Sequence, residues 1–183
     1  MVRFETAQAL FETFPQARTL ISVDPTEDHS LDFLRRLAAN GKLEDAVAFC
    51  AYVLPRREAV WWACKSVRPF LNEPINAKFD TKPLLLAEEW VAQPEEKRRL
   101  VAQDAGSRGD PNSPTTWVAN AAAWSGGAYS VANMIPIAPP PQLTAHAAMV
   151  AILLCSRRVG MPASGTLLRA CIADGVKLAE TGL

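Results

Sequence analysis

The apolar positions of residues 41–71, GKLEDAVAFCAYVLPRREAVWWACKSVRPFL, recur at a helix's period of 3.6 and not at a strand's period of two. Leu43, Ala46, Val47, Phe49, Cys50, Val53 and Leu54 predict one helix over 43–54. Glu44 and Asp45 fall in its first turn, where negative charge suits the open amides. Pro55 lacks a backbone donor and biases Leu54 toward an extended conformation, so it predicts a tight corner and the start of a second helix. That helix is expected over 56–70, with Ala59, Trp62, Ala63, Ser66 and Val67 in one stripe. Val60, Trp61 and Cys64 widen the stripe, and Pro69 is expected to close the segment.

The same reading predicts helices over 4–13, 27–40, 84–92, 113–124, 143–158 and 163–179, and one opening at Pro94. In the Pro94 helix an acidic first turn, Glu95 and Glu96, precedes Lys97, Arg98 and Arg99, and Leu100 and Val101 are its expected apolar anchors. Asn40-Gly41 is a helix stop, since both residues tolerate a left-handed backbone. ARTLISVDP, residues 17–25, is the only stretch with strand character, and without a partner strand it reads as a loop. The 143–158 helix is apolar on nearly every side and is expected to be central to the C-terminal part, with Gly175 of the last helix allowing close contact with it.

These elements predict an all-α protein of eight or nine helices, an antiparallel bundle or a short array of α-hairpins. One domain is expected over 1–183, with an N-terminal lobe 1–105 and a C-terminal lobe 113–183 divided at the breakpoint GSRGDPNSP. The segment 125–142, SGGAYSVANMIPIAPPPQ, is long, apolar and proline-rich, the kind of crossover that is functional or packs across a surface.

Composition narrows the function classes. With 183 residues, 49% of them hydrophobic and 21% charged, the chain has ample material for a folded core. A formal net charge of +0 gives no bulk attraction to nucleic acid and little protection against self-association, so a homodimer is admissible. The most apolar run, LTAHAAMVAILLCS, is too short to span a bilayer, and the N-terminus lacks the apolar stretch of a signal peptide. The expectation is a cytoplasmic protein without membrane insertion.

Candidate chemistry is sparse. Cys50, Cys64, Cys155 and Cys171 each fall in a predicted helix among apolar neighbours, and no Cys-x-x-Cys pair points to zinc. They read as buried free thiols of a reducing compartment. His29 reads as a helix cap and His146 as a core or groove residue. Glu88/Glu89 and Glu95/Glu96 are adjacent, so their carboxylates diverge around a helix and make poor acid/base pairs. SGG at 125–127 and VGMPASG at 159–165 lack the Lys-Ser/Thr of a phosphate loop. No catalytic residue, metal site or cofactor is predicted.

What remains is aromatic and basic. Five tryptophans is a high number for this length, and tryptophan is enriched both in cores and at interface hot spots. The pair Arg56 and Arg57 reads as helix-end electrostatics or, beside Trp61, as a contact for an acidic partner; with Trp124, Tyr129 and Met134 around the crossover these residues form the candidate interaction surface.

LPRREAVWWAC at 54–64, AAAWSGG at 121–127 and IPIAPPPQLTAHAA at 135–148 resemble an uncharacterised family of small bacterial proteins. The resemblance implies an association with contractile, type VI-like secretion machinery and an accessory role. It carries no established activity and no functional residue. The expected function is therefore a non-enzymatic protein–protein interaction, as adaptor or chaperone, with a protein partner. The alternatives are a small-ligand binder or enzyme of unfamiliar type and a structural subunit that dimerises through 125–142.

Overall fold

Leu54 and Pro55 turn the chain sharply. The computed structural model describes residues 2–127 and 138–183. Among them are nine α-helices and no strand: α1 (Ala7–Thr13), α2 (Ser30–Ala39), α3 (Leu43–Val53), α4 (Arg56–Leu71), α5 (Lys82–Ala92), α6 (Glu96–Arg108), α7 (Pro114–Ala123), α8 (Leu143–Val159) and α9 (Ala163–Thr181). Short 3-10 turns lie at Pro15–Thr19 and Pro74–Asn76. The all-α class holds. Leu54 is extended, with ψ 142°, as the sterics before proline require.

The two helices at that corner do not lie side by side. Helix α3 packs on α2, α8 and α9, whereas α4 packs on α5, α7, α8 and α9. An extended residue followed by proline sends α4 away from α3, so the pair is a bend between layers and not a closed hairpin. Pro69 also fails to end α4, which continues to Leu71. The carbonyl that loses its donor there is that of Lys65, an exposed residue, so water satisfies it at little cost.

Two apolar clusters form the core. The first joins α1, α2, α3 and α9 to one side of α8. Its centre is aromatic: Phe33 and Phe49 lie 4.8 Å apart, and Phe11 of α1 closes over both at 6.3 and 6.2 Å. Every residue of α3 from Ala46 to Val53 is buried. The second cluster joins α5, α7 and Ala102 of α6 to the other side of α8. Helix α4 serves both, sending Ala59 and Trp62 into the first and Val60, Ala63, Cys64 and Val67 into the second. Trp62 is fully enclosed, and its Nε1 donates to the Cys171 carbonyl at 2.7 Å.

Gly175 faces this junction. A β-carbon there would overlap Cys50 Sγ and lie 3.0 Å from Trp62 Nε1. The close approach expected of Gly175 is therefore to α3 and α4, not to α8. Helix α8 is also less enclosed than its apolar sequence predicts. Leu143, His146, Val150, Leu153 and Leu154 stay partly exposed along one side. Helices α5, α6 and α7 complete the far side, each packed against the next.

Candidate functional site

Arg56 and Arg57 stand in the first turn of α4, where the helix dipole disfavours cations. The fold turns them instead to the carboxyl ends of other helices, whose open carbonyls attract positive charge. Arg56 Nη1 donates to the carbonyl of Ser125, just past α7, at 3.0 Å. Arg57 Nε donates to the carbonyl of Val91, in the last turn of α5, at 2.8 Å. Arg56 is half-buried and Arg57 exposed. Arg56→Ala is expected to cost about 1 kcal/mol and to lower the melting temperature by about 2–4 °C. Arg57→Ala should cost about half that, because water replaces an exposed donor. Thermal unfolding of both variants checks the order.

Trp61 and Trp124 are partly exposed and pack against the second cluster. Trp124 meets Trp117 edge-on at 6.3 Å, and Trp117 Nε1 donates to the Pro111 carbonyl at 2.7 Å. Trp62 and Trp90 are core residues. The structure thus brings Arg56 to the end of α7 beside Trp124. Tyr129 and Met134 lie outside the described residues.

Arg99 is the residue that sequence reasoning passed over. Its side chain is 3% exposed. Its Nε and Nη2 grip both carboxylate oxygens of Glu96 at 2.7 and 2.6 Å, and Nη1 donates to the Ala123 carbonyl at 2.6 Å and to Gln103 at 3.1 Å. Hydrogen bonds from Arg99 hold the Glu96 carboxyl below the usual carboxylate range. Gly127, at φ 66°, lays its backbone against the guanidinium, so closely that a β-carbon would clash with it. Arg56 and Arg99 thus hold the chain from both sides as it leaves α7. The legible signal was the small pair Ala102 and Gly106, three and seven residues beyond Arg99, which marks the inward face of α6. A β-carbon at Gly106 would overlap the Asn120 side chain of α7.

With Arg99, Ala102 and Gly106 inward, Leu100 and Val101 turn out. They do not anchor α6: they are 47% and 45% exposed, and Leu85 on α5 is 46% exposed. Among the described residues these are three of the five large hydrophobic side chains that the fold leaves in water, and two of them are neighbours on α6. Two clefts, of about 520 and 300 Å³, meet on the α5–α6 face and share Leu86 and Val101. The larger extends to the start of α7.

Its charged lining cancels. Lys78, Lys82 and Arg108 face Asp80, Asp104 and Asp110. The acids are engaged locally. Asp80 accepts from Lys82 N, Asp110 accepts from Asn112, and Asp104 pairs with Arg108 at 2.8 Å. Among the described residues no group of three His, Cys, Asp or Glu side chains is placed to hold a metal ion. The four cysteines are free and buried, as expected. Burial pushes the thiols of Cys50, Cys64, Cys155 and Cys171 up, away from the reactive thiolate. His29 Nδ1 accepts from Leu31 N, capping α2.

Residues 33–179, from the first turn of α2 to the last turns of α9, match a family of unknown function, DUF6931. The chain belongs to that family. The expected membership of a family without assigned activity holds at that level. The family span includes Arg56, Arg99, Leu100 and Val101, and leaves α1 outside. No curated protein and no solved structure matches the chain. No helix among the described residues is long and apolar enough to cross a membrane.

Proposed function

We propose that this protein is a non-enzymatic docking module, an accessory or adaptor, and that the α5–α6 face receives its protein partner. The observation that supports this is the exposed apolar pair Leu100 and Val101 on α6, with Val101 and the partly buried Leu86 lining both clefts between α5 and α6. Fully burying a leucine or valine is worth about 1.5–3 kcal/mol, so covering half-exposed side chains of this kind is a real driving force for association. The buried free thiols fit a reducing compartment, the cytoplasm. The resemblance of the 54–64, 121–127 and 135–148 motifs puts contractile secretion machinery first among the settings in which such an accessory would serve.

The test is a photo-crosslinking residue placed at Leu100 in the cells that make the protein, with Lys177 on α9 as control position. A protein adduct at 100 that is absent at 177, and that Val101→Asp abolishes, is the expected result. Val101→Asp should change stability by no more than about 0.5 kcal/mol, because the side chain is a surface one. A folded protein that yields no adduct at 100 would remove the docking reading.

A further inference from the structure

We infer that the occupant of the α5–α6 face is a second copy of this chain, its α6 lying antiparallel across the first. The inference rests on the docking reading above and names the partner. Successive residues of a helix turn by about 100°, so Lys97, Leu100, Val101, Asp104 and Arg108 share the side opposite Arg99, Ala102 and Gly106. All five are exposed. The strip reads, from its amino end, basic, apolar, apolar, acidic, basic.

This order is complementary to itself in one orientation only. A two-fold axis between Leu100 and Val101 sets Leu100 against Val101 of the second copy, and Lys97 against Asp104 of the second copy, each twice. Arg108 falls opposite Gln93, ahead of the facing α6, and takes no part in the pairing. A parallel pair would set Lys97 on Lys97 and Asp104 on Asp104. Like charges directly opposed are unfavourable, so the charge order selects the antiparallel pair, which also opposes the two helix dipoles favourably. Asp104 already pairs with Arg108 within α6, and a carboxylate has acceptor sites for both cations. Arg98 is turned aside to Glu89 and Gln93 on and just past α5 and does not enter the contact. A formal net charge of +0 leaves no long-range repulsion between copies.

The contact is small. A helix of 13 residues is about 20 Å long, and a single-helix crossing covers well under the roughly 800 Å² per partner of stable dimers. Self-association should therefore be weak, with a dissociation constant on the order of tens to hundreds of micromolar.

Sedimentation equilibrium of the full chain from about 10 μM to about 1 mM is the test. The weight-average mass is expected to climb from 19.9 kDa toward twice that value. Lys97→Asp alone and Asp104→Lys alone should each weaken association about tenfold, since both salt pairs become repulsions. An equimolar mixture of these two variants should recover it, because position 97 of each chain then faces the opposite charge at position 104 of the unlike chain. Monomer throughout the range, or association indifferent to both variants and to their mixing, overturns the inference. Monomer together with a Leu100 adduct to a different protein overturns self-pairing alone and leaves the docking reading standing. Monomer throughout the range together with no adduct of any kind removes both.

Discussion

Gly175→Ala is expected to destabilise the protein by about 2 kcal/mol, a fall of roughly 4–8 °C in melting temperature. Helix propensity argues the other way, since alanine is better than glycine in a helix by about 1 kcal/mol. Space decides the sign. A β-carbon at 175 would overlap Cys50 Sγ and lie 3.0 Å from Trp62 Nε1. Neither neighbour can yield easily. Cys50 is on α3, whose residues from Ala46 to Val53 are all buried, and Trp62 is tied to the Cys171 carbonyl. Adding Cys50→Ala to Gly175→Ala removes the clashing sulfur, and the new methyl fills part of the room it leaves. The double variant should recover more than half of the loss. Calorimetry of the two single variants and the double variant measures the coupling. A Gly175→Ala protein more stable than its parent would mean that α9 stands off from α3 and α4.

The second large effect is at Arg99. Arg99→Met keeps much of the volume and should still cost about 3 kcal/mol. The loss does not come mainly from the ion pair. Glu96 is 58% exposed, so its carboxylate returns to water when the guanidinium is gone, and the pair contributes little. It comes from the Ala123 carbonyl, left without its donor, and from Gly127, left without the surface it lies against. Arg99→Lys retains charge but not the planar fork, and should recover about half. Urea unfolding of the three proteins separates these terms. An Arg99→Met protein within about 0.5 kcal/mol of the parent would show the clamp to be dispensable. The pH dependence has a definite sign. Because the Glu96 carboxyl is held below its ordinary range, its contribution is present above the unfolded value and is lost as pH falls through the folded one. In Arg99→Met that small acid-side loss should vanish.

The sequence disclosed the helices better than their neighbours. Periodicity located α3, α4, α8 and α9 to within a residue or two, because these segments carry enough large apolar side chains for one face to stand out. Helix α6 was misread for the opposite reason. Its inward face is Arg99, Ala102 and Gly106, which no hydrophobic pattern reveals, and its two large apolar residues point outward. An arginine can be a core residue when carbonyls and a carboxylate surround it, and that surrounding is tertiary. Gly175 was recognised as a place of close approach, but periodicity along one helix does not say which helix approaches. For Arg56 and Arg57 the sequence leaves helix-end electrostatics and a partner contact both open. The fold gives each an internal carbonyl, which only the placement of α5 and α7 determines. The cysteines and the His29 cap were legible because apolar neighbours and helix position settle them locally.

The family match opens at Phe33, so Phe33 and Phe49 fall inside the matched span, while Phe11, which closes over them, lies outside it. Cut back to the matched span, the chain would lose that cover and show this greasy face to solvent. The first helix is thus a stopper set in the mouth of the helical body: it shields an aromatic socket whose walls are built by helices further along the chain.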